Sequence, residues 1–220
     1  MSEIILDFGS GNTCRNDAAY VKRMIDELKA VDTGKHEIII KYQLFKEAPP
    51  NIPLEHQVFD YAYKYAKKQG YKTTSSVNDL ESLEFLLRYE IPFVKIANRR
   101  ELDWLIGEVP RKIPVYISVG SNTELWPHIK DYTEPKDETI IPFCCVSKYP
   151  ATIEDYEKTF ISLKYLPAIS DHTIGFDFWH RLQWCEDAPK IWERHFKLPD
   201  STGPDAGPFA VTPEELREIL

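Results

Sequence analysis

The chain has 220 residues, 43% of them hydrophobic and 28% charged, with a formal net charge of −8, which suits one substantial globular domain spanning residues 1–220. That acidity argues against a surface built for nucleic acid or an anionic membrane, and it makes any lysine at the end of a buried strand more informative. Nothing approaches the roughly 18 consecutive apolar residues that span a bilayer, and the apolar run Ile4 to Leu6 meets Asp7 at once, so a cytoplasmic protein without a secretory leader is expected.

Short β-like segments alternate with helix-like ones along the chain. A strand over 3–8 precedes a helix near 17–30. A strand over 37–43 precedes a helix near 55–69, where Val58, Tyr61, Ala62 and Tyr65 follow amphipathic spacing. Strand 71–75 leads to a helix near 78–89, with Asn78 and Glu81 placed like a capping box. Strands 92–97, 113–118, 139–146 and 166–170 precede helices near 101–107, 122–130, 152–164 and 176–185. Strand 188–193 precedes the last helix, 213–220, which Thr212 caps, with Pro213 in its first turn and Glu214 and Glu215 at its positive end.

Eight βα units in strict alternation imply a parallel sheet, and its economical closure is a compact α/β (β/α)8 TIM barrel. The rival is a doubly wound open sheet, but no further glycine completes a GxGxxG turn after Gly9-Ser10-Gly11. The four cysteines, Cys14, Cys144, Cys145 and Cys185, have no CxxC spacing and are read as reduced packing residues. Cys144 and Cys145, adjacent in a strand, point to opposite faces.

A barrel carries its active site at the C-terminal ends of its strands. Those ends offer Asp7, Lys41 with Gln43, Ser75, Lys95, Ser118, Ser147 with Tyr149, Ser170 with His172, and His195. Burying so many polar groups without a ligand would be costly. His172 and His195 follow adjacent strands and can converge on one ion; manganese, iron and zinc all suit two imidazoles plus oxygen ligands. The competing reading for each is a hydrogen-bonded structural histidine. His36, His56, His128 and His180 receive no role. Lys41 and Lys95 interrupt apolar runs, either as snorkelling rim residues or as an anion site completed by hydroxyls.

At these residues the sequence resembles the sialic acid synthases, the N-acetylneuraminate synthase-like enzymes. The resemblance rests on Ser170-Asp171-His172-Thr173, Glu193-Arg194-His195-Phe196, Gly203-Pro204-Asp205, Lys41-Tyr42-Gln43, Lys95-Ile96-Ala97, Ser118-Val119-Gly120 and Cys145-Val146-Ser147-Lys148-Tyr149-Pro150. It implies a barrel that condenses phosphoenolpyruvate with an open-chain N-acetylated amino sugar, gives a sialic-acid-like nonulosonate and releases phosphate. It further implies a divalent metal, typically Mn2+, on His172 and His195. Lys41, Ser75, Lys95, Ser118, Ser147, Tyr149 and Ser170 would line the phosphoenolpyruvate pocket, and Asp7, Gln43, Tyr149 and Asp205 would face the sugar. His172, His195, Tyr149 and Glu101 would carry catalysis, and a homodimer is implied.

Three departures stand out. Asn98-Arg99-Arg100-Glu101 replaces the family's Ser-Gly-Glu, so that Arg100 or Glu101 takes the acid/base position. Asp7 replaces a glutamate and the following Asn-His loop is missing. The chain ends at its eighth helix, without the C-terminal antifreeze-like domain that lends an arginine to the partner subunit's sugar site. Two other readings compete with the synthase: an aldolase-type enzyme for another carbonyl substrate, and a silent barrel that binds a phosphorylated ligand.

Overall fold

In the computed structural model of the chain, residues 3–46, 49–120, 139–162, 167–185 and 188–220 are described. Eight strands alternate with helices: β1 Glu3–Asp7, β2 Glu37–Leu44, β3 Lys72–Val77, β4 Val94–Ile96, β5 Val115–Val119, β6 Ile140–Cys145, β7 Ala168–Asp171 and β8 Ile191–His195. Each pairs in parallel with the next, and β1 pairs with β8, which closes the expected barrel. The helices are α1 Ala18–Val31, α2 His56–Lys68, α3 Leu80–Leu86, α4 Ile153–Ser162, α5 Asp177–Gln183 and α6 Pro213–Leu216, with 3-10 turns at Arg100–Glu108 and Pro204–Ala206. The helix expected near 122–130 lies outside the described residues.

Alternation along the strands sorts the side chains. Outward residues such as Ile4, Leu6, Ile38, Ile40, Val94 and Ile117 pack beneath the helices, while Ile5, Ile39, Phe93, Phe143 and Ala168 form a separate plug inside the barrel. The plug makes the lower barrel a packed core, so any site must lie above it, at the C-terminal ends.

Several local expectations change. The buried stripe of α2 is Val58, Phe59, Ala62 and Ala66. Tyr61 and Tyr65 flank it, and the Tyr65 hydroxyl donates to Asp26 at 2.5 Å, so the amphiphilic rings lie at the stripe's edge. Asp79, not Asn78, caps α3 by accepting from the Ser82 amide. The last helix is a single turn, opened as expected by Thr212 and closed into a full capping box by Glu215. Cys185 is exposed rather than packed.

One buried ion pair sits on the outer face. Arg194 of β8 donates to Asp171 of β7 at 2.8 Å, to the Phe209 carbonyl at 2.9 Å and to the Thr173 carbonyl at 2.6 Å. Trp192 Nε1 also donates to Asp171, at 3.0 Å. With its hydrogen-bonding groups engaged, the pair ties two strands to the loop that carries Asp205 and Phe209. The Asp and Arg of the two histidine-bearing segments are therefore structural.

Candidate active site

The inward positions above the plug line a cavity of about 490 Å3, within the usual range for small-molecule sites. At its floor, Glu193 bridges two lysines. Its Oε1 lies 3.1 Å from Lys41 Nζ and its Oε2 lies 3.1 Å from Lys95 Nζ. Lys41 also donates to Asp7 at 2.7 Å and to Ser76 at 2.9 Å. Lys95 donates to the Ser118 hydroxyl, and the Ser170 hydroxyl donates to Glu193.

At Glu193, Lys41 and Asp7 burial opposes the charge, and pairing overcomes it. Burial alone would raise the Glu193 carboxyl, but the ammoniums of Lys95 and Lys41 and the Ser170 hydroxyl hold it well below the usual carboxylate range. Burial would lower Lys41, yet Asp7 and Glu193 push it up to about 12. Asp7 is likewise held down against its burial by Lys41 and His195. The floor is thus a chain of fixed, alternating charges.

The loop after β1 supports a second carboxylate. Gly9 NH donates to Asp7 at 2.9 Å, and Ser10 donates to Asp205 from its amide and its hydroxyl, both at 3.3 Å. Gly9 sits at φ 78°, and a Cβ there would lie 2.8 Å from Thr13 Oγ1 and 3.0 Å from Asp205, so both conformation and space call for glycine. This glycine turn therefore cradles the protein's own carboxylates. Gln43 links them, donating to Asp7 at 2.8 Å and to Asp205 at 3.3 Å.

His172 and His195 come together above this floor, with ring centroids 5.5 Å apart. His172 Nδ1 lies 2.7 Å from the Val146 carbonyl. A donated proton there turns Nε2 into the lone-pair nitrogen. Burial, then the neighbouring His195, lowers the His172 pKa to about 4, so the ring is neutral at pH 7. His195 Nδ1 is buried without a hydrogen-bond partner, 3.5 Å from Asp7 Oδ2 and 3.8 Å from Asp205 Oδ1. An orphaned imidazole nitrogen, a neutral imidazole and two nearby carboxylates fit a divalent cation. No preformed group of three or more His, Cys, Asp or Glu ligands exists among the described residues, so water or substrate oxygens would complete the set. Tyr149 lies beside the pair, its ring centroid 4.3 Å from that of His172 in a tilted contact and 6.2 Å from that of His195 edge-on.

The sequence-derived site residues Asp7, Lys41, Gln43, Lys95, Ser118, Ser147, Tyr149, Ser170, His172, His195 and Asp205 all line this cavity. Two others do not. Ser75 points outward: its hydroxyl donates to the Tyr42 carbonyl at 2.9 Å and accepts from the Leu44 amide at 3.0 Å. Ser76 takes the inward position, level with Lys95. Glu101 lies outside the cavity in the 3-10 turn, with its side chain 61% exposed and bound to Arg99 at 2.7 Å. It does not occupy an acid/base position over the site.

Glu193, Ser76, Cys145 and Phe209, which the sequence reading left out, also line the cavity, as do Asn98 and Arg99 of the altered loop. Parity would have found Glu193, two residues before His195 on the same strand, and equally Cys145, two after Phe143. Asn98 donates to Ser147 at 3.0 Å. It lies where a Cβ on Gly120 would come within 2.6 Å of its Nδ2, a close approach that glycine permits.

The NeuB family profile matches residues 26–220. A pseudaminic acid synthase from Campylobacter jejuni subsp. jejuni is 25% identical over 222 residues, covering 93% of this chain and 63% of that protein. A protein of unassigned function from Methanocaldococcus jannaschii is 29% identical over 189 residues, covering 81% of this chain and 54% of its own length. The chain thus spans 54 to 63% of the length of these relatives. Among solved structures, an N-acetylneuraminic acid synthetase from Leptospira borgpetersenii superposes with a TM-score of 0.76 at 20% identity, over 98% of this chain and 80% of that one. A spore coat polysaccharide biosynthesis protein E from Chromobacterium violaceum gives 0.78 at 17% identity, over 99% and 72%. These structures share the fold, and the match over residues 26–220 settles kinship: the chain belongs to the NeuB family of sialic acid synthase-like proteins.

Proposed function

We propose that this barrel condenses phosphoenolpyruvate with the aldehyde of an open-chain N-acetylated amino sugar, forming a nonulosonate and releasing phosphate. The observation that carries this reading is the charged floor of Lys41, Glu193 and Lys95 beneath two histidines, with hydroxyls of Ser76, Ser118 and Ser170 beside it. Phosphate and carboxylate need short donors at fixed positions, and Glu193 fixes both ammoniums before a ligand arrives.

In this reading C3 of phosphoenolpyruvate bonds to the aldehyde carbon, water adds at C2, and the C2–O bond to phosphate breaks. His172 and His195 would hold the divalent ion, Mn2+ being the expected one, which supplies Lewis acidity to the aldehyde oxygen when bound. Lys41 and Lys95 bind and orient the phosphate-bearing substrate. Asp7, Gln43 and Asp205, already joined by hydrogen bonds, face the sugar hydroxyls. Tyr149 covers the histidines and excludes water from their face.

A second reading, ligand binding without turnover, is favoured by one observation: Glu101 stands outside the cavity and Arg99 lines it. One assay separates the two. Phosphate release from phosphoenolpyruvate is followed with Mn2+ and a panel of N-acetylated hexosamines. Sugar-dependent release that disappears in His195→Ala supports the synthase. Measurable phosphoenolpyruvate binding with no release across the panel replaces it with the silent barrel.

A further inference from the structure

The buried floor is not positively charged before a ligand binds. Lys41 and Lys95 are each 3% exposed and held by carboxylates, and three acidic side chains, Asp7, Glu193 and Asp205, line the same space. Arg194 also touches the cavity, but its guanidinium is buried and committed to Asp171 at 2.8 Å. A phosphate monoester that also carries a carboxylate brings more negative charge than this floor can balance, and like charge at short range in a buried site is costly.

Arg99 differs from the other lining cations. Its side chain is 49% exposed, and its carboxylate partner, Glu101, is 61% exposed and outside the cavity. An exposed pair of this kind contributes little and exchanges readily, whereas the lysines cannot leave Glu193 without stranding a buried charge. Arg99 is also placed by its backbone: its amide donates to the Ala97 carbonyl at 2.7 Å, which pins the loop running up from Lys95. The neighbouring Asn98 is fixed on Ser147. Arg99 lines the cavity four residues along the chain from Lys95, and a guanidinium's planar fork matches a phosphate oxygen pair.

We infer that Arg99 is the specificity-determining ligand for the substrate's phosphate group, exchanging Glu101 for that anion when it binds. The inference rests on the proposed phosphoenolpyruvate site and names a residue for it. Glu101 is then a competitor that keeps Arg99 satisfied while the site waits, not a proton donor or acceptor.

The test is calorimetric titration of the whole chain with phosphoenolpyruvate and, separately, inorganic phosphate. Arg99→Gln is expected to weaken both by roughly tenfold or more, the scale of a lost charge-assisted bond. Arg99→Lys should fall between, since it keeps the charge and loses the fork. Glu101→Gln is expected to tighten both by a few-fold, a gain that vanishes in the Arg99→Gln/Glu101→Gln double variant. The side chains are 49% and 61% exposed, so thermal melts should not move and misfolding cannot imitate the result. In turnover, Arg99→Gln should raise KM for phosphoenolpyruvate and leave KM for the sugar in place. Parent-like binding by Arg99→Gln, or weakening by Glu101→Gln, overturns the assignment. Binding by the parent that depends on Arg99, without phosphate release for any sugar, would remove the synthase and leave Arg99 as an anion ligand. A parent that binds neither anion removes both.

Discussion

Glu193→Gln removes one negative charge from between two buried lysines and keeps the side chain's shape. The two lysines do not lose equally. Lys41 keeps Asp7 at 2.7 Å and Ser76 at 2.9 Å. Lys95 keeps the Ser118 hydroxyl and the Phe143 ring, whose centroid lies 4.8 Å away. The loss therefore falls on Lys95, as an ammonium buried without a carboxylate, and breaking such a pair costs about 3–5 kcal/mol. Urea unfolding at pH 7, followed by circular dichroism, should show a drop of that size. In the Glu193→Gln/Lys95→Met double variant the stranded charge is gone, so the loss should fall short of the sum of the single losses by about 1–3 kcal/mol. The pH dependence carries a sign. The folded-state pKa of Glu193 lies below the unfolded value, so its stabilisation is fully present above about pH 4.3 and declines as pH falls toward the folded value. In that window the parent should lose about 1.4 kcal/mol per pH unit more than the glutamine variant. A Glu193→Gln loss below about 1 kcal/mol, or strict additivity in the double variant, would refute a mutually dependent floor.

Other perturbations test separate parts of the site. Mn2+ titration of the metal-free protein should weaken in both His172→Ala and His195→Ala; unchanged affinity in the two variants rules out a shared site. Ser75→Ala should cost about 1–3 kcal/mol of stability by leaving the Leu44 amide without its buried acceptor, with phosphoenolpyruvate affinity unchanged. Ser76→Ala, which removes an acceptor from Lys41, should weaken phosphoenolpyruvate binding as well as stability, and a calorimetric titration beside a urea curve distinguishes the two variants. Asp171→Asn leaves Arg194 and Trp192 without their charged acceptor, and a loss of about 3 kcal/mol or more is expected on unfolding; a thermal midpoint equal to the parent's would make that pair dispensable.

The barrel was legible because strand-like and helix-like segments alternate strictly and most strands carry uninterrupted apolar runs. Side-chain parity was legible only where one face is marked by hydrophobicity. In β2, Ile39, Lys41 and Gln43 share the inner face, and Lys41 declares itself by interrupting isoleucines. In β3 the segment Lys72-Thr73-Thr74-Ser75-Ser76-Val77 is small and polar throughout, so nothing in it says which serine points inward, and a one-residue slip exchanges the faces. Glu193 was hidden for a different reason. Among charged neighbours it reads as a surface residue, until its spacing from His195 is applied. The fate of Glu101 depends on where the 3-10 turn begins, and element boundaries are the least legible feature of a sequence.

These particulars also bear on how an acidic chain would hold the proposed anion. Net charge acts over long range and is screened by salt, whereas binding at the barrel mouth depends on fixed groups within hydrogen-bonding distance. The floor's carboxylates do not cancel the lysines; they hold both in place, and Asp7 and Glu193 push the Lys41 pKa up to about 12. A lysine alone in this position would shed its proton or turn toward solvent. With the lysines so anchored, added negative charge has to be balanced by groups that can change partners at low cost. Arg99, on its exposed carboxylate, is such a group; the buried His172 and His195 would contribute only through a bound cation. In the proposed function the buried pairs set the geometry, and Arg99 would receive the ligand's charge.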